Sequence, residues 1–181
     1  MTSTAFAITA GTWVLDPTHT EIGFSVRHLM GKVRGKFESF EGSIVTAENV
    51  ADSKTAATIQ LASINTGTAD RDAHLRSTDF FGVEENPVMT FESTGISVDG
   101  DDYKVTGNLT IKGVSKPVEL AVEFLGEGND PWGGTRVGVE ATTQISRKEF
   151  GINFNIPLEG DKVMIGDKIS IHITAEAVLQ A

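Results

Sequence analysis

From Lys168 to Ala177 apolar and polar residues alternate without a fault. Ile169, Ile171, Ile173, Ala175 and Ala177 fall on one side, and Ser170, His172, Thr174 and Glu176 on the other. A period of two is the repeat of an extended strand with one buried face. A helix would scatter the same apolar groups around its axis. The pattern returns at Val105, Gly107, Leu109 and Ile111, at Val118, Leu120, Val122 and Phe124, and at Val137, Val139, Ala141, Thr143 and Ile145. Further runs cover 21–27, 32–45, 55–64 and 88–98, which makes about eight strands, a usual number for a small barrel. Asp99-Gly100 and Lys112-Gly113 supply short reversals. A longer polar loop is expected over 126–134 and another break at Glu159-Gly160-Asp161.

This pattern predicts an all-β domain, a single closed antiparallel barrel with one or two short helices near one end. Closure removes edge strands that would otherwise recruit other chains; a two-sheet sandwich satisfies the same alternation. One helical turn is expected over 27–31, ending on Gly31. A short helix is expected over 70–80, capped by Thr68 or Asp70, with Ala73, Leu75, Phe80 and Phe81 turned inward. Residues 1–10 read as a flexible segment and 11–181 as the domain.

The charge balance, 15 basic against 25 acidic residues for a net −10, speaks against a nucleic-acid partner and against a broad electropositive membrane face. With no cysteine, disulfides and thiolate chemistry are excluded. No secretory leader is recognisable before Gly11, so the expected location is cytoplasmic. No apolar run is long enough for a spanning helix.

Motifs for nucleotide binding, serine hydrolysis and helical zinc sites are missing, and His19, His28, His74 and His172 lack metal-ligand spacing. His172 alternates with isoleucines and should face outward, while His19 should brace a turn. His28 and His74 flank the expected helical turns, where a ligand-facing role is open to them. Ten of the thirteen aromatic residues are Phe, which suits either a solid core or the lining of a cavity.

The ordered blocks of the chain resemble the YceI-like family. They begin with Trp13 and Asp16-Pro17-Thr18-His19-Thr20, then Ile22-Gly23-Phe24-Ser25-Val26 and Val33-Arg34-Gly35-Lys36-Phe37. The most distinctive is Arg71-Asp72-Ala73-His74-Leu75-Arg76-Ser77-Thr78-Asp79-Phe80-Phe81. Asn86-Pro87-Val88-Met89-Thr90-Phe91, the 107–118 block and Ser146-Arg147-Lys148-Glu149-Phe150-Gly151 follow. Thr20 and Asn86 stand where the family pattern most often has serine and tyrosine.

The resemblance implies a lipocalin-like barrel that acts as a non-catalytic binder or carrier of a long isoprenoid lipid or quinone tail. The implied lining is Phe24, Phe37, Phe40, Leu75, Phe80, Phe81, Met89, Phe91, Ile111, Phe150 and Phe154. His28, Arg71, His74 and Arg76 are candidates for meeting a polar head group. No metal or further cofactor is expected beyond the bound lipid, and a homodimer fits a barrel with exposed ends. Two rival readings are a small-substrate hydrolase or isomerase using His28 or His74 as base, and a structural or stress-response barrel filled by its own side chains.

Overall fold

The computed structural model describes residues 8–160 and 162–181. Eleven strands and one α-helix occur among them. The strands are β1 (Gly11–Leu15), β2 (Glu21–His28), β3 (Gly31–Phe37), β4 (Phe40–Thr46), β5 (Lys54–Gln60) and β6 (Ile64–Asn65). After the helix α1 (Ala69–Arg76) come β7 (Val88–Asp99), β8 (Asp102–Ile111), β9 (Val114–Asn129), β10 (Thr135–Ser146) and β11 (Ile165–Leu179).

All neighbours are antiparallel. β11 pairs with β10 on one side and, on the other, with β2 and then β1. The registers of β1 with β4 and of β2 with β3 continue one another, so β1–β2, β3–β4 and β5–β6 are three bent strands. With β7 to β11 they make an eight-stranded up-and-down barrel, sealed where Trp13 opposes Leu179 and Leu15 opposes Ala177. A sandwich is thereby ruled out.

The alternation is realised in β8, with Val105, Leu109 and Ile111 buried and Lys104 and Asn108 exposed, and in β11, with Ala175 and Ala177 buried and Ser170 and His172 exposed. Five expectations need correction. Residues 27–31 form no helical turn: β2 runs to His28 and reverses through Leu29, held at φ 54, and Met30. The runs 32–45 and 55–64 are broken at Glu38 and Ser39 and at Leu61–Ser63, where the strands bend. The 126–134 loop is shorter, because β9 continues to Asn129 around a bulge facing Gly138 and Val139. β1 itself, with only Trp13 and Leu15 alternating inward, had no counterpart among the expected strands.

The helix expected over 70–80 is present as α1 but ends at Arg76, where the Ser77 N–H closes it on the His74 carbonyl. Thr68 holds its N-cap position without a side-chain bond, and Asp70 and Asp72 occupy the first turn. Leu75, Phe80 and Phe81 pack inward as expected, but Ala73 is exposed and Asp72 takes the buried place. Of the segment expected to be flexible, residues 1–7 lie outside the described residues, whereas Ile8 is buried in the core and Thr9 donates its N–H to Glu127. Asp161 of the expected break is likewise outside them.

The interior has two halves. One is solid: Ile8, Trp13, Val50, Ile96, Tyr103, Val105, Val137 and Ala177 pack together. Trp13 is wholly buried, and its indole N–H donates to the Thr46 hydroxyl at 3.0 Å. Phe91 touches both halves and lies across Gly107, where a Cβ would sit 2.5 Å from its ring. Glycine at that position lets the ring form a floor between them.

A polar network braces the solid half. Arg136 donates to Asp16 and Asp130, each at 2.7 Å, and its guanidinium covers the Trp132 ring. Asp16 also accepts from the Thr18 N–H and bonds the His19 ring, so His19 does brace a turn. His19 and Arg136 hold the Asp16 carboxyl down at about 2. A depressed carboxyl contributes stability above its unfolded value near 4 and loses it as pH falls through about 2. Asp16→Asn should therefore cost about 1–2 kcal/mol at neutral pH. It should also flatten the acid limb of the stability profile, as urea unfolding between pH 6 and pH 2 would show. An unchanged limb would remove this role.

Candidate functional site

The other half of the barrel is hollow. A cavity of about 450 Å³ lies between β2, β3 and the first part of β11 on one side and α1 with residues 150–156 on the other. All but five of its lining side chains are hydrocarbon or thioether. The five are His28, Asp70, Arg71, His74 and Arg147. Strand alternation builds the wall: Phe24, Val26 and His28 of β2 face in, as do Ile169 and Ile171 of β11.

The cap comes from two long connections at the same end. In the first, α1 is tied to β6 by a compact knot. The buried Asp72 carboxylate accepts from the Thr66 N–H at 2.9 Å and from the Thr66 hydroxyl. Arg71 donates through Nε to that hydroxyl and through Nη2 to the Thr66 carbonyl, both at 2.8 Å. His74 bonds Asp79 through Nε2 at 2.8 Å, and its ring meets those of Phe80 and Phe154 edge-on at 5.0 and 4.7 Å. This aromatic contact joins the helix to the second connection.

That second connection, between β10 and β11, is held by Arg147. The side chain is 4% exposed and makes no ion pair with a carboxylate among the described residues. Instead Nε donates to the Gly166 carbonyl at 2.8 Å, Nη1 to those of Ile152 and Phe154 at 2.9 Å, and Nη2 to that of Ile165 at 3.3 Å. Burial lowers its pKa, which the nearby Asp167 partly offsets. Four carbonyls are thus gathered on one planar cation, that of Ile165 shared with the Asn155 side-chain amide at 2.7 Å.

Of the residues expected to line a cavity, Phe24, Phe37, Leu75, Phe80, Phe81, Met89, Ile111, Phe150 and Phe154 do so. Phe91 instead forms the floor, and Phe40 borders a polar groove beside Pro17–His19. His28, Arg71 and His74 stand in the cavity wall, while Arg76 does not. His172 is outward, 3.9 Å from Glu140. Arg147 was not among the expected site residues, although it lies within one of the blocks quoted above. Among the described residues no cluster of His, Asp and Glu is arranged to hold a metal ion.

A YceI-like domain model matches residues 13–177. A UPF0312 protein of Photorhabdus laumondii is 46% identical over 142 residues, covering 77% of this chain and 73% of the relative. Among solved structures, BcnA of Burkholderia cenocepacia superposes with a TM-score of 0.78 at 22% identity, over 90% of this chain and 98% of that one. A polyisoprenoid binding domain from Saccharophagus degradans, implicated in plant cell wall breakdown, does so with a TM-score of 0.66 at 17% identity, over 95% and 100%. The eight-stranded barrel, its capped hollow end and a match that runs from β1 into the last strand agree: this chain is a member of the YceI-like family.

Proposed function

We propose that the protein binds an isoprenoid chain, tail inward, in the hollow half of the barrel and carries it without chemical change. The observation that supports this most is the cavity wall, which offers hydrocarbon nearly throughout and polar groups only from the cap, His28 and Arg147. An apolar chain buried there gains roughly 25 cal/mol per Å², and the methyl branches of an isoprenoid suit a wall of isoleucine and phenylalanine. A polar end, as hydroxyl, diphosphate or quinone, would meet His28 or Arg71, whose Nη1 has no described hydrogen-bond partner. His74 serves the cap rather than chemistry, since Nε2 is engaged by Asp79 and the ring is clasped by two phenylalanines. The polyisoprenoid-binding description of the Saccharophagus degradans domain agrees with this reading.

Organic extraction of the purified protein followed by mass spectrometry should recover a prenyl lipid. Geranylgeraniol at a hundredfold excess over its Kd should stabilise the native state by about 2.7 kcal/mol, raising Tm by about 5–10 °C. No extracted lipid together with no shift in Tm would overturn the proposal.

A further inference from the structure

We infer that the β2–β3 hairpin is a docking arm that sets the cavity mouth against an anionic lipid surface. The acidity of the whole chain hides how its charge is distributed. From Ile22 to Phe37 there is no acidic residue, yet Arg27, Lys32, Arg34 and Lys36 fall there, four of the fifteen basic residues of the chain. All four are exposed. None makes an ion pair with a described residue.

Strand alternation sorts the hairpin into two faces. Phe24, Val26, His28 and Val33 line the cavity, so the cations occupy the outer face. Arg27 stands directly opposite Lys32, and like charges facing across a ladder are unfavourable. The barrel gains nothing from that arrangement, whereas an anionic surface would relieve it.

The tip supplies the second signal. Met30 is completely exposed and Leu29 is 42% exposed. Leu29 is fixed in a left-handed conformation that a bulky residue adopts only at a cost. Its N–H donates to Met164 at 2.8 Å, and Arg27 donates to its carbonyl at 3.2 Å. Met164 in turn donates to Ile156, so Ile156 and Leu158, both exposed, lie on the adjoining tip. The sequence of that tip carries Glu159, Asp161 and Lys162, a net −1 beside the four cations of the hairpin. Four apolar side chains thus project beside a basic face, at the rim of an apolar cavity. Nucleic acid offers nothing to a methionine and leucines; a bilayer interface takes up both the charge and the hydrocarbon.

The surface rests on the hairpin and the adjoining tip, and its use for loading rests on the isoprenoid reading. Flotation of the full chain with vesicles separates the two. Vesicles of phosphatidylcholine doped with phosphatidylglycerol should carry the protein, those of phosphatidylcholine alone should not, and added salt should release it. Removing three exposed cations together (Lys32→Gln, Arg34→Gln, Lys36→Gln) should lower partitioning by about a hundredfold, roughly fivefold for each cation. Met30→Asp should lower it further, while Lys104→Gln on β8 should leave it unchanged. Geranylgeraniol binding in solution should be the same in every variant, which shows that the cavity is intact. Absence of flotation with anionic vesicles, or full flotation of the triple variant, overturns the docking arm. So does single-stranded DNA binding as tight as that to vesicles and indifferent to Met30→Asp.

Discussion

Arg147→Met should lower the unfolding free energy by about 3–4 kcal/mol and Tm by roughly 10 °C. Each bond from a charged donor to a carbonyl contributes about 1.5–3 kcal/mol, and four are lost together. The relief of no longer burying an unpaired cation returns part of that sum. The apolar replacement fills similar space but takes this donor from the carbonyls of Ile152, Phe154 and Gly166, while that of Ile165 keeps the Asn155 amide at 2.7 Å. Arg147→Lys should recover less than half of the loss, because an ammonium cannot reproduce the planar fork. Equilibrium urea unfolding measures both. If the methionine variant is as stable as the parent, the guanidinium is not what holds the cap.

The second large effect concerns the hollow itself. Val33→Trp with Ile171→Trp places two indoles into space that is empty in the ligand-free barrel. Both positions line the cavity and are only partly buried. Overpacking a filled core costs about 1–3 kcal/mol, but here the added rings find room and new contacts. Geranylgeraniol affinity should fall by at least about a hundredfold, while Tm of the ligand-free protein stays the same or rises. Isothermal titration and a thermal melt read the two arms. A drop in Tm with affinity retained would mean that the ligand sits elsewhere.

Most of the barrel was legible because its strands are long and half-buried, so that the period of two repeats four or five times in β8 to β11. β1 escaped because five residues carry only two inward side chains, and its outward Val14 blurs the alternation. The bend at Glu38 and Ser39 escaped because apolar residues continue on both sides of it. Arg27 to Gly31 reads as a helical turn, since nothing in the residue types announces that Leu29 accepts a left-handed backbone. Arginine is ordinarily solvated, so Arg147 gives no sign of burial. Its place is set by carbonyls of the irregular 151–156 chain and of the first residues of β11, a property of the folded backbone. The phenylalanines pointed to a lining, but only the packing of Trp13, Tyr103 and Phe91 shows where the hollow stops.

That stop makes the barrel a sheath closed at its far end. Whatever enters must leave by the same opening and in reverse order, the part that went in first coming out last. On the isoprenoid reading proposed above, water could not follow a retreating tail from behind, so release would expose that tail progressively at the rim, where the barrier is lowest if an oily phase is already waiting there. Any guest longer than the sheath keeps its outer end in reach of another protein while the rest stays dry. Unloading can then begin by grasping that end, without any strand of the barrel parting.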